Sequence, residues 1–234
     1  MMRPWHICVL IPARNEEELL PRCLHSILDA RSKLPPEITC DIVVAVDAST
    51  DRTAHIAEKI LAGNGTVTVT HAGIVGCARA AAVQYALNRY QGLLSLCWFA
   101  HTDADCIVPE DWLLKQLLLA EEGIEAVAGV VSVDTFREHK YGVEKRFRES
   151  YLIESDGKHP HVHGANLGVR ADVYRRSGGW ANLETAEDHD LWNRLADCVR
   201  ISTATLRVIT SGRLVGRAPH GFAEALSAHG EAIA

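Results

Sequence analysis

Asp103 and Asp105 stand two residues apart, directly after the apolar run at 96–100. Two carboxylates so spaced in a turn can address one hard divalent cation together with a diphosphate, and such a cation offsets phosphate charge as the diphosphate departs. The plain alternative is a pair of solvated loop acids, or a cap for a helix at Glu110. Glu184, Glu187, Asp188 and Asp190 put four acids into seven positions where a helical pattern starts. One of them is suited to take a proton from a hydroxyl, although negative charge at a helix start is favourable in its own right. Asp47 closes another apolar run, where an acid can accept hydrogen bonds from a base or ribose edge or simply turn the chain before Ser49 and Thr50. Gly73 to Arg79 opens a helix whose amides, with Arg79, can face a phosphate; a glycine turn before a helix also has no need of a ligand. His163 and His220 are candidate metal or phosphate partners, and equally surface histidines.

Such residues need a scaffold that gathers strand ends. Short β-rich apolar runs at 7–11, 41–46, 66–70, 96–100 and 126–133 alternate with helical segments, which predicts βαβ units around a mostly parallel sheet. Leu19, Leu20, Cys23, Leu24, Ile27 and Leu28 form one helical stripe, and Leu113, Leu114, Leu117 and Leu118 another. Ser49 to Asp51 is a capping region, so the second strand ends at Asp47. After 133 the rhythm breaks into a charged stretch at 134–149 and a polar loop through His163. A helix at 188–196 and a short strand at 206–209 follow. With no repeat or linker, the chain reads as one α/β domain whose first half is doubly wound and whose second half builds a second wall over the sheet. Ligands in such sheets bind at the carboxyl ends of the strands, where the segments 12–17, 47–51 and 102–105 carry their acids.

Composition narrows the classes. The 234 residues hold 24 Lys+Arg against 30 Asp+Glu, a formal charge of −6 that offers no basic field for nucleic acid. No window nears the roughly 18–20 apolar residues of a membrane span. The seven cysteines are odd in number and lack a CxxC pair, so buried thiols in a reducing cytosol are expected. The first residues lack the apolar core of a signal peptide, and a cytoplasmic location follows as the expectation. Neither GxGxxG nor a P-loop motif is present.

Taken in order, the segments IPARNEEE, VDASTD, GCARAAAV, HTDADCIVPEDWL, GANLGVRADVYRRSGGW and AEDHDLWNRL resemble those of glycosyltransferase family 2, nucleotide-sugar-dependent enzymes with a GT-A fold. The resemblance runs from about residue 6 to residue 198. It implies that Pro12, Ala13, Asn15 and Glu16 border the nucleotide and that Asp47 reads the base or ribose. Asp103 would lie against the ribose and metal waters, and Asp105 would ligate the Mg²⁺ or Mn²⁺ that bridges the diphosphate of the nucleotide diphosphate sugar. Asp188 would be the catalytic base, with Glu187 orienting it or the acceptor. Gly164, Ala165 and Asn166 would line the donor sugar and the acceptor, and His220 would complete the metal site. Residues 1–133 then form the nucleotide-sugar-binding half of a single domain over 1–234, and residues 134–234 the acceptor-binding and catalytic half. Two departures from the family pattern stand out: Val46-Asp47 replaces a paired acid, and Ala78-Arg79-Ala80 replaces Ala-Arg-Asn. Transfer to an acceptor hydroxyl with inversion is the expected reaction. A sugar nucleotidyltransferase is a rival, weakened by Glu16 to Glu18 where a basic glycine-rich loop would be needed. A non-catalytic nucleotide-sugar-binding module is another, weakened by retention of both acidic motifs. Donor base, sugar, acceptor and oligomeric state stay open, and the loops at 134–163 and after 211 are the expected acceptor selectors.

Overall fold

The computed structural model describes residues 4–230, so both ends of the 1–234 domain expectation lie outside the described residues. Its strands are β1 (His6–Ala13), β2 (Thr39–Asp47), β3 (Thr66–Thr70), β4 (Cys97–His101), β5 (Ala126–Val133), β6 (Leu167–Arg170) and β7 (Arg200–Thr210). The helices are α1 (Leu20–Ser32), α2 (Thr53–Leu61), α3 (Val75–Arg89), α4 (Trp112–Glu121), α5 (Val143–Ser150), α6 (Ala171–Arg176), α7 (Glu187–Arg194) and α8 (Phe222–Ala228). The strands form one sheet in the order β3-β2-β1-β4-β6-β5-β7, parallel throughout except for β6, which runs against both β4 and β5.

The apolar runs become strands because helices cover both faces of the sheet, so alternate residues are buried in opposite directions. Ile7, Val9 and Ile11 of β1 pack with Leu20, Leu24 and Ile27 of α1 and Leu113 and Leu117 of α4. Cys8 and Leu10 face the other way, toward Ala82, Val83 and Ala86 of α3 and Leu191 of α7. Full burial of each such Leu or Ile contributes about 1.5–3 kcal/mol. The inward face of α4 is Trp112, Leu113, Gln116, Leu117 and Ala120. Leu118, expected on that stripe, is exposed, because Trp112 and Gln116 rotate the buried face away from it.

Three features depart from the sequence expectation. First, β6 is a strand of four residues that the pattern did not announce. It is buried by its neighbours, and a Cβ on Gly168 would lie 2.4 Å from Gln116 Oε1 and 2.7 Å from the Trp98 ring. Second, β7 begins at Arg200 rather than 206, since its polar first half is paired by the ladder through a register shift opposite Gly129 and Val130. Third, the 134–149 stretch contains α5, which packs Val143 and Phe147 against Leu226 of α8. The second half therefore does not stand apart as a wall; β6 and β7 extend the same sheet. Among the described residues, no helix is long and apolar enough to cross a membrane.

Asn166 joins these pieces. Its Nδ2 donates to Val130 O at 2.9 Å and Leu206 O at 3.0 Å, and its Oδ1 accepts from Trp112 Nε1 at 2.9 Å. Asn166→Ala would leave three buried polar groups unpaired, so a loss of about 2–4 kcal/mol is expected in urea denaturation. A loss under about 0.5 kcal/mol would mean that water replaces the amide.

Candidate active site

The carboxyl ends of β1, β2, β4, β5 and β7, with the turn that leads into β6, surround a cavity of about 500 Å³. At one end Pro12, Ala13, Gly73 and Asp47 form the wall. Asp47 is buried, and the two hydrogen bonds its side chain accepts among the described residues, from Thr70 Oγ1 and the Ala72 amide at 2.8 Å, both fall on Oδ1. Asn15 is not on this wall. Its φ is +52°, its amide donates to Ser49 Oγ, and its Oδ1 accepts from the Thr50 amide, so it ties the loop after β1 to the loop after β2. Asp51 accepts from the Thr53 amide at 2.9 Å at the start of α2, within the expected capping region.

The middle of the cavity holds Asp103 and Asp105. Asp105 is largely buried, and burial pushes its carboxyl up to about 6; Arg213 pulls it down, while Asp103 and Glu16 push it further up. Arg213 binds Glu16 through both terminal nitrogens, at 2.9 and 2.7 Å, and lies 3.0 Å from Asp105 Oδ2. Arg217 adds a second guanidinium 3.7 Å from Glu16. Neither arginine was singled out in the sequence. Their only signal there is two basic residues in a polar tail, and it takes β7 beside β5 to deliver that tail to the acids.

A divalent cation fits this donor set. Asp103 and Asp105 each engage an arginine through one oxygen, and a crowded, desolvated pair of acids is relieved by a cation. No group of three His, Cys, Asp or Glu side chains among the described residues could hold a metal alone. His220, expected as a further ligand, is an exposed residue on the cavity wall with φ +53° and Nδ1 3.1 Å from Glu224. In this arrangement of the tail it does not gather with the two aspartates. His163 is also not gathered with them, and its Nε2 is 2.8 Å from the Tyr151 hydroxyl.

The far wall carries the second acidic pair. Arg79, expected to face a phosphate, instead commits its buried guanidinium to protein acceptors. Nη2 reaches Asp103 at 2.7 Å, Nε reaches Glu187 at 3.0 Å, and Nη1 reaches the Gly164 carbonyl at 3.2 Å. The reason is that a buried charge must be paired. Burial raises the Glu187 carboxyl, Arg79 lowers it, and Asp188 raises it further. A Cβ on Gly164 would lie 2.3 Å from Arg79 Nη2, so only glycine admits the arginine. Asp188 accepts from the Gly164 amide at 2.9 Å and from the His189 amide at 2.8 Å. Ala186, at φ +57°, sets the start of α7, a strained non-glycine position of the kind found beside functional groups. Gly164 and Ala165 lie on the wall; Asn166 does not, because the three structural bonds described above hold its side chain.

The sequence matches the family described as Glycosyl transferase family 2 over residues 8–178. A stretch of 148 residues, 62% of this chain, is 28% identical to the 4,4'-diaponeurosporenoate glycosyltransferase of Staphylococcus aureus (strain bovine RF122 / ET3-1), covering 34% of that protein. The structure is similar to residues 1–349 of S. aureus TarS, with a TM-score of 0.66 and 16% identity over 88% of this chain and 60% of that one; TarS has also been solved with UDP. It is equally similar to the mannosyltransferase PcManGT of Pyrobaculum calidifontis, solved with GDP-Man and Mn²⁺. There the TM-score is 0.66 and the identity 20%, over 92% of this chain and 61% of that one. These neighbours share the GT-A fold. The chain spans about a third of the curated relative and about three fifths of these two solved chains.

Proposed function

The chain belongs to glycosyl transferase family 2, and on that footing we propose that it moves a sugar from a nucleoside diphosphate sugar to an acceptor hydroxyl with inversion. Asp188 is the general base, and Asp105 with Asp103 holds Mg²⁺ or Mn²⁺. One observation carries the reading: Arg79 bonds Asp103 and Glu187 at once, so the cation-binding acids and the Glu187-Asp188 pair border one cavity. PcManGT was solved with GDP-Man and Mn²⁺, which favours a metal-assisted donor site here too.

In this mechanism Pro12, Ala13 and Asp47 hold the nucleoside. The acceptor hydroxyl gives its proton to Asp188 as its oxygen bonds to the anomeric carbon, and the bond from that carbon to the diphosphate breaks on the opposite side. The Gly164 and His189 amides fix the Asp188 carboxylate for this transfer. The cation would offset the charge of the leaving diphosphate, and Arg213, next to Asp105, and Arg217, next to Glu16, would add positive charge to this part of the cavity. The loop after β1 offers Glu16, already bound by Arg213, rather than the basic cradle of a nucleotidyltransferase.

The test is a thermal-shift panel of UDP, GDP, dTDP, CDP and ADP, each with and without Mn²⁺, on the wild type and on Asp105→Ala. A nucleotide at a hundredfold excess over Kd should add about 2.7 kcal/mol, or roughly 5–10 °C. The shift should need Mn²⁺ and vanish in the variant. No shift with any nucleotide, or one that Asp105→Ala retains, would overturn the proposed donor site.

A further inference from the structure

His163 enters neither the cation site nor the proton transfer, yet its ring is held with unusual care. Tyr151 stacks on His161 with centroids 3.8 Å apart and planes 9° apart, and His163 lies nearly parallel to Tyr151 at 8°. Phe222 closes the other side edge-on at 6.0 Å. One tautomer gives the phenolic proton of the pair an acceptor. The Val131 amide donates to the Tyr151 hydroxyl at 3.0 Å, so the single phenolic proton is left for His163 Nε2 at 2.8 Å. Tyr151 keeps that proton, since burial raises its pKa to about 12. Burial also pushes the His163 imidazole down to about 3, so the ring is neutral. With Nε2 accepting, the ring hydrogen sits on Nδ1. Nδ1 has no hydrogen-bond partner among the described residues and is not sealed from solvent, unlike both ring nitrogens of His159. His163 lines the same cavity as Asp103 and Asp188, one residue before the Gly164 amide that holds Asp188.

We propose that His163 is a specificity-determining residue whose Nδ1–H, oriented by Tyr151 and Val131, donates a hydrogen bond to an oxygen of the donor's sugar ring substituents. The proposal rests on the nucleotide-sugar reading above. A neutral Nδ1–H donor recognises a hydroxyl or carbonyl oxygen. It offers no lone pair to a cation, which also removes His163 from the metal ligands. Because its donor direction is set by the fold and not by solvent, it can discriminate one sugar epimer from another, as buried polar partners do.

The experiment is titration calorimetry with Mn²⁺ present, comparing UDP-glucose, UDP-N-acetylglucosamine and GDP-mannose with UDP and GDP. His163→Phe keeps the stack and removes the donor. It should lose about 5- to 10-fold in affinity for the preferred nucleotide sugar and leave the parent diphosphate within about twofold. His163→Asn, whose amide places an N–H near the Nδ1 position, should recover most of the loss. Tyr151→Phe, which frees the tautomer, should lose less than His163→Phe. Unchanged diphosphate binding certifies the fold of each variant. If His163→Phe binds the sugar donor as tightly as the wild type, or if the loss falls equally on the diphosphate, the assignment to the sugar is wrong. Failure of the wild type to bind any diphosphate would instead bring down the donor-site reading, and this proposal with it.

Discussion

Asp188→Asn is expected to lower turnover by about 10²- to 10⁴-fold, the range for removing a general base, while changing donor affinity by less than about twofold. The variant keeps the shape of the side chain and one carbonyl oxygen. One of the two amides now bound, Gly164 or His189, then meets an NH₂ group, a loss of about 1–3 kcal/mol. The protein should therefore fold, and a melt beside the assay checks that it does. Release of nucleoside diphosphate in the presence of acceptor is the measurement. Undiminished transfer would remove Asp188 from the mechanism and leave Glu187 as the remaining acid of the pair. Glu187 is the poorer candidate, because it is buried and bonded to Arg79, with less access to an incoming hydroxyl.

Arg79→Met should do most harm to the fold and the site together. It strands Glu187 in a buried position and removes one partner of Asp103. Breaking a buried pair from one side typically costs about 3–5 kcal/mol. Asp103 is partly open to water, so the lower end, about 3 kcal/mol, is expected here in urea denaturation. Donor binding and turnover should both fall, because one guanidinium holds the acids on both walls of the cavity. Arg79→Lys should recover only part of the stability. A single ammonium cannot serve three acceptors spread around a planar fork. A variant that melts like the wild type would show that the two acids are held by something other than this arginine.

Much of the first half of the sheet was legible in advance because buried parallel strands are written as unbroken apolar runs. The expected bounds of β3 and β5, and the end of β2 at Asp47, coincide with the structure. The stripe on α1 recurs as buried Leu20, Cys23, Leu24 and Ile27. Asp103 and Asp105 follow β4 directly, and Glu187 and Asp188 head α7. Strand ends carry ligands in such a sheet, so naming those strands already named the loops that border the cavity.

The remainder depends on contacts between distant residues, and no local pattern records those. β6 has only four residues, and its burial comes from β4 and β5 rather than from its own periodicity. Its position decides that Asn166 serves Val130, Leu206 and Trp112 instead of facing the cavity. Strand order also brings Arg213 to Glu16 and Asp105, while the fold of the connection between α5 and β6 brings Tyr151 to His163. Arg79 looked like a phosphate ligand while only its helix was known, and became the bond between two acids once β4 and α7 flanked it. By itself, then, the sequence determined the strands, the α/β class and which acids stand at strand and helix ends, since each of these follows from periodicity and burial within a short window. Only the tertiary structure decided which charges neutralise one another, which polar side chains are structural and which nitrogen of the His163 ring is bound by Tyr151. Those outcomes are set by a non-local strand order and by the requirement that every buried polar group find a partner.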